Sequence, residues 1–169
     1  MHAEICAWLA ELRTKHPKHF ASGCRVIEYG SRDVNGSVRP YFVNPSQYVG
    51  IDCYAGHCVD VVGLAHEYEP KRADFDVVIT TETLEHDPHW RDTLAHAARM
   101  LRSGGLLVLT CAAPKRAPHN HADSPEPGYY ENREPSEVVA ELSKHCEWTK
   151  LDSWLERCEL DLHCVGVKA

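Results

Sequence analysis

Glu28 and Asp52 each close an apolar run, and they stand 24 positions apart. Glu28 is followed by Tyr29-Gly30-Ser31-Arg32-Asp33-Val34-Asn35-Gly36. A glycine just past a buried strand lets the backbone approach a ligand closely, and an acid at about this distance downstream can accept hydrogen bonds from ribose hydroxyls. That pairing suits reception of a nucleotide-type cofactor. A second group is Glu82-Thr83-Leu84-Glu85-His86, which puts two carboxylates and an imidazole at a helix start. His119, His121, Tyr129 and Tyr130 stand in a long Pro-rich segment. Carboxylates and imidazoles of this kind serve as general acids and bases, or as metal ligands. His57, His66, His89, His96, His145 and His163 form no recognisable ligand spacing.

These residues need a sheet to carry them. Cys24 to Glu28, Gln47 to Asp52, Phe75 to Thr80 and Leu106 to Cys111 read as buried strands, and His57 to Val62 as a further apolar run. Uninterrupted apolar strands belong to a parallel sheet covered on both faces. His2 to Arg13 has helical apolar spacing and is expected over one edge of the sheet. A short helix is expected from Gly36 to Arg39, disturbed by Pro40. Pro88 to Leu101 reads as a helix with Trp90, Leu94, Ala97 and Ala98 inward, stopped at a cap formed by Ser103-Gly104-Gly105. Pro135 opens another helix, and Trp148 to Trp154 and Leu160 to Val167 alternate as a closing strand pair. Only three residues, Tyr54 to Gly56, separate the second and third apolar runs. Parallel strands need about a dozen residues to cross over, so that connection is abbreviated or one boundary is displaced.

Length and composition set limits on partners. With 169 residues, 43% of them hydrophobic, the chain suits one domain over 1–169, with residues 1–22 as an N-terminal helix and loop and 114–134 as a substrate-side loop. A net charge of −7 disfavours bulk nucleic acid. No apolar run reaches the ~18 residues of a membrane span. The eight cysteines form no CxxC pair and sit mostly in apolar runs, which predicts buried free thiols in a reducing, cytoplasmic setting.

The order of strand and turn, strand ending in Asp, "FDVVITTETLEH", helix, "LRSGGLLVLT", helix and terminal strand pair resembles the class I S-adenosylmethionine-dependent methyltransferases from about Cys24 to Val167. The resemblance implies a Rossmann-like three-layer α/β/α sandwich, with a mostly parallel seven-stranded sheet and an antiparallel last strand. It also implies S-adenosyl-L-methionine as cofactor and S-adenosyl-L-homocysteine as product. By position, Glu28 and Gly30 would border the methionine end of the cofactor and Asp52, with Cys53 beside it, the ribose. Leu64, Ala65 and His66 would flank adenine, and Thr80, Thr81 and Glu82 would face methionine and substrate. Glu82, His86, His119 and His121 are then the candidates for catalysis on a small O- or N-acceptor. The Glu82-x-x-Glu85-His86 string also looks like the metal-binding motif of small-RNA 2′-O-methyltransferases, with His119 or His121 completing it. Similar strings occur in metal-free members, and no metal ligand is assigned.

The sequence departs from the family pattern in places. Arg32 and Val34 occupy the second and third glycine positions of the usual GxGxG turn, so Ser31, Asn35 and Gly36 are expected to shape the turn instead. Leu64 stands where many members carry an acid. A catalytically silent cofactor-binding partner and a nicotinamide-dependent oxidoreductase are the rival readings, the latter weakened by the missing GxGxxG. A homo-oligomer or a partner chain completing the site stays open.

Overall fold

A computed structural model describes residues 3–119 and 128–169. Seven strands form one sheet: β1 (Arg25–Tyr29), β2 (Gln47–Asp52), β3 (Val61–Val62), β4 (Phe75–Thr81), β5 (Leu101–Ala112), β6 (Trp148–Leu155) and β7 (Asp161–Lys168). Their order across the sheet is β3-β2-β1-β4-β5-β7-β6. The first five are parallel, and β7 is inserted antiparallel between β5 and β6. This is the Rossmann-like arrangement expected from the sequence.

The α-helices among the described residues are α1 (Ala3–Lys15), α2 (Trp90–Met100) and α3 (Pro135–Leu142). Because side chains alternate across a strand, β1 divides its residues between two cores. Ile27 and Tyr29 join Val78, Leu107 and Leu109 under Trp90, Leu94 and Met100 of α2 and Val138 and Leu142 of α3. Val26 joins Val77, Ile79 and Val108 under Ile5, Leu9 and Leu12 of α1. Helix α1 thus crosses the central strands instead of covering an edge. The buried Val38 and Phe42 complete its layer, Phe42 stacking on Phe20 at 4.8 Å between ring centroids.

Two connections differ from expectation, and the one between β2 and β3, left open by the sequence, proves to have a displaced boundary, with β3 starting at Val61. Between β1 and β2 the chain makes a single 3-10 turn, Arg39–Tyr41, with Pro40 in its first positions, where a missing N–H costs nothing. Between β2 and β3 the link is short, and β3 pairs only Val61 with Ile51 and Val62 with Asp52. Tight turning there needs Cys58 at φ 68°. Helix α2 stops at Met100, and Ser103-Gly104-Gly105 lies inside β5 and does not cap the helix. Leu101 pairs with Phe75 and Leu106 with Val77, so residues 102–105 bulge out of the ladder, with Gly104 at φ 71°. No helix among the described residues is long and apolar enough to cross a membrane.

Candidate active site

Strands β1 and β4 are adjacent, and the chain leaves them toward opposite sides of the sheet, which makes a topological switch point. The loops beyond the carboxyl ends of β1 to β5 wall a cleft of about 870 Å³ there, a size within the usual range of ligand pockets.

One wall is the pair of turns after β1 and β2. Gly30 N–H and Ser31 N–H both donate to the Ile51 carbonyl, at 2.9 and 3.1 Å. Arg32 N–H donates to Asp52 Oδ2 at 3.1 Å, and Tyr54 N–H to Asp52 Oδ1 at 2.9 Å. The Asp52 carboxylate is therefore fixed by two main-chain donors, and each oxygen keeps a lone pair for a ligand hydroxyl. Gly30 adopts φ 70°. Gly50 is equally constrained, since a Cβ there would lie 2.4 Å from the Cys58 carbonyl oxygen. The hydroxyl of Ser31 is buried at the cleft and meets no hydrogen-bond partner.

Glu28 lies deeper. It is almost fully buried and accepts a 2.6 Å hydrogen bond from Tyr48 O–H. Burial pushes its carboxyl up to about 8, against the Tyr48 hydrogen bond and the Arg39 charge, which favour ionisation. Arg39 itself lies over the Tyr48 ring at 4.3 Å and pairs with Asp60, whose carboxylate also accepts Gly50 N–H at 2.7 Å.

The opposite end of the cleft is built after β4 and β5. Glu82 adopts φ 52°, which a non-glycine residue takes only when its surroundings hold it there. Its N–H donates to the Thr110 carbonyl at 2.9 Å, and Thr110 O–H donates to Glu82 Oε1 at 2.9 Å. Leu84–His86 forms a 3-10 turn that sets His86 on the cleft wall and Glu85 behind it, fully buried. Burial, then the neighbouring Glu82, pushes the Glu85 carboxyl up to about 8. The rings of His86, His119 and Tyr130 meet edge-on in a triangle with sides of 5.1, 5.0 and 5.3 Å. The loop after β5 is pinned to the β6–β7 turn by Lys115 on Glu159 and Arg116 on Asp161.

Of the residues singled out in the sequence, Glu28, Gly30, Ser31, Asn35, Asp52, Cys53, Leu64, Ala65, His66, Thr81, Glu82, His86 and His119 all line this one cleft. Thr80 does not line it: its side chain is buried within the sheet, as alternation with Thr81 requires. His121 lies outside the described residues. Helix α1 contributes none of the lining residues, so it gives the cleft no cover. Lining residues that the sequence reading missed include Thr83, Asp87 and Thr93, while Lys115 and Arg116, whose charges the sequence offers to an anionic small molecule, line it too. Asp87 had a readable signal, standing before Pro88 at the start of a helical pattern. Its carboxylate accepts His89 N–H at 2.7 Å and Thr93 O–H at 2.6 Å.

A family model described as a methyltransferase domain matches residues 1–160. A search of the curated proteins finds no match. Among solved structures, the chain is similar to the Burkholderia thailandensis 1,6-didemethyltoxoflavin-N1-methyltransferase with bound 1,6-didemethyltoxoflavin and S-adenosylhomocysteine. The TM-score is 0.65 at 17% identity, over 95% of this chain and 78% of that one. It is also similar to the Haemonchus contortus phosphoethanolamine N-methyltransferase 2 in complex with S-adenosyl-L-methionine, with TM-score 0.67 at 12% identity over 94% and 52% of the two chains. A chain from the complex of the Haloferax volcanii Trm112 methyltransferase activator matches with TM-score 0.64 at 14% identity over 98% and 96%. At these identities the structures establish the fold, and the family match extends through nearly the whole chain. The chain belongs to the methyltransferase-domain family, on the fold of S-adenosylmethionine-dependent methyltransferases.

Proposed function

We propose that residues 1–169 form one methyltransferase domain that moves a methyl group from S-adenosylmethionine to a small O- or N-acceptor. The observation that carries this reading is that a single cleft joins the rigidly held Asp52 at one end to Glu82, His86 and His119 at the other.

The residues present fit the cofactor. Asp52 offers two acceptor oxygens to vicinal ribose hydroxyls, and the orphaned Ser31 hydroxyl offers a donor and acceptor beside them. Leu64 and Ala65, with Ile51, supply an apolar strip for a flat base, with the His66 ring next to them. Glu28, Gly30 and Thr81 are assigned to the methionine end, and Asn35 and Cys53 to the walls between. The bound cofactor supplies an activated methyl on a sulfonium. The chain's own part is then to hold the acceptor in line and take its proton, and positioning of this kind accounts for much of such a rate. Glu82, His86 and His119 stand where that proton would be received. A small acceptor fits a cleft walled on both sides, and the net charge of −7 speaks against bulk nucleic acid. Only Cys24, Cys111 and Cys164 are buried, fewer than expected, and the eight unpaired thiols favour a reducing, cytoplasmic setting.

Transfer of label from methyl-tritiated S-adenosylmethionine to a panel of hydroxyl, carboxyl and amine compounds tests the proposal. Label on an acceptor, reduced at least tenfold in Asp52→Ala and in His86→Ala, is the expected result. Cofactor binding without transfer to any acceptor, alone or with a partner chain, would favour the silent-partner reading.

A further inference from the structure

A second hollow, of about 560 Å³, is lined by Asp33, His57 and Cys58 together with Ser37, Arg39 and Asp60. None of these residues lines the cleft described above. His57 Nδ1 lies 3.3 Å from Asp33 Oδ2 and 3.4 Å from Cys58 Sγ. One ligand atom each from Asp33, His57 and Cys58 thus lie within 4.8 Å of one another. The backbone holds the group together. Asp33 N–H donates to the His57 carbonyl at 3.0 Å, and the Cys58 carbonyl accepts from Arg39 Nη2 at 2.9 Å. Asp33 Oδ1 accepts Gly36 N–H at 2.8 Å, which orients the carboxylate so that Oδ2 meets the imidazole.

The geometry points to a binding site for a zinc-type divalent ion, held by Asp33, His57 and Cys58 between the turn after β1 and the link from β2 to β3. Tetrahedral zinc, with ligand bonds of about 2.0–2.3 Å, sets nitrogen, oxygen and sulfur ligands roughly 3.4–3.6 Å apart. The two edges that meet at His57 Nδ1 are already close to this, so only the edge between Cys58 and Asp33 has to adjust. Thiolate, imidazole and carboxylate together select zinc or cobalt(II) over magnesium and calcium, which prefer oxygen ligands. Charge favours a dication as well. Asp33 and a Cys58 thiolate bring two negative charges, and the nearby Arg39 guanidinium is engaged by Asp60. Binding releases the thiol proton. Three protein ligands leave one tetrahedral position open toward the hollow that all three line. The ion clamps together two segments that also hold Asp52, through Arg32 N–H and Tyr54 N–H. The site does not depend on methyl transfer.

Two other ligand clusters among the described residues, His66 with His89 and Asp92, and Glu85 with His86 and His119, contain no sulfur. Sulfur ligation is therefore the readout that separates them. Chelator-stripped full-length protein, kept reduced by a phosphine, is titrated with Co²⁺ and read by its visible bands and its near-ultraviolet sulfur-to-cobalt band. One equivalent that carries the sulfur band is expected, displaced by Zn²⁺ and not by Mg²⁺. The band should vanish in Cys58→Ser. Affinity should fall at least tenfold in His57→Ala and hold in the His89→Ala/His119→Ala double variant. His57 is exposed, so its variant keeps the fold if Cys58→Ser does not. Because an ion bound to the folded chain stabilises it, Zn²⁺ should also raise the thermal midpoint of wild type, and raise that of His57→Ala less. No binding, no sulfur band, a band that survives Cys58→Ser, unchanged affinity in His57→Ala, loss in the double variant, displacement by Mg²⁺ or an unmoved midpoint would each overturn the site.

Discussion

A Cβ added to Gly30 would lie 2.0 Å from Thr83 Oγ1, so the turn after β1 touches the turn after β4 with no room for a side chain between them. Thr83 O–H is itself tied to the Thr81 carbonyl at 3.0 Å. The switch-point cleft owes its shape to this close approach.

Gly30→Ala should therefore fail in two ways. The φ of 70° costs an alanine roughly 1–2 kcal/mol, and the clash with Thr83 adds to it. Thr83→Ala in the same chain should restore only part of the loss, since the Thr83 Cβ stands 2.9 Å from the new atom and the backbone strain stays. Denaturant midpoints of the two variants and the double variant measure this. Full rescue would mean that φ contributes nothing.

Tyr29 and His96 link β1 to α2 and to the Ala65–His66 wall of the cleft. His96 Nε2 lies 2.7 Å from the Tyr68 carbonyl, which can only accept, so Nε2 carries the proton and Nδ1 accepts from Tyr29 O–H at 2.6 Å. That chain anchors the turn Ala65–Glu67, whose Ala65 and neighbouring His66 line the cleft. Tyr29→Phe leaves a buried nitrogen unpaired and should cost about 1–3 kcal/mol of stability. It should also weaken cofactor binding by several-fold. A variant with wild-type stability would contradict the assignment of the proton.

Glu28 predicts a pH effect with a definite sign. In the unfolded chain its carboxyl ionises in the ordinary range near 4.5, whereas burial in the folded chain moves it up to about 8. The folded state holds the proton longer, so its contribution is complete below about 4.5 and is lost as pH rises through 8. Tyr48, Arg39, Asp60 and Asp52 face it, and the raised value is the balance of burial against the first two. Buried His96 and His163, whose ring pKa values are lowered by burial, act with the opposite sign. Comparison with Glu28→Gln isolates the effect. The stability difference between Glu28→Gln and wild type should move in favour of the variant between pH 5 and pH 8, by up to about 1.4 kcal/mol per pH unit. A pH-independent difference would refute the raised value.

How much of this was legible in the sequence varies by element. β1, β2 and β4 are runs of buried apolar residues with an acid or a polar turn at the end, and that pattern survives in the structure because both faces are covered. β3 was not legible in its true bounds, since two residues carry no periodicity and their strand character comes from pairing with Ile51 and Asp52. The Ser103-Gly104-Gly105 turn was real, but its place was decided by Leu101 pairing with Phe75, a contact 26 positions away in sequence. In the cleft, acids and glycines announced themselves by position. The burial of Glu85 and its meeting with His119 depend on the path of the chain after β5, which no local pattern encodes.

The most direct test of the account is calorimetric titration of the purified protein with S-adenosylmethionine and S-adenosylhomocysteine, with NAD as control and Asp52→Ala as the variant. Saturable binding of both sulfur compounds, no heat from NAD, and at least a tenfold loss in Asp52→Ala are expected. Binding of NAD alone, or cofactor binding that Asp52→Ala leaves unchanged, would contradict the assignment of this cleft.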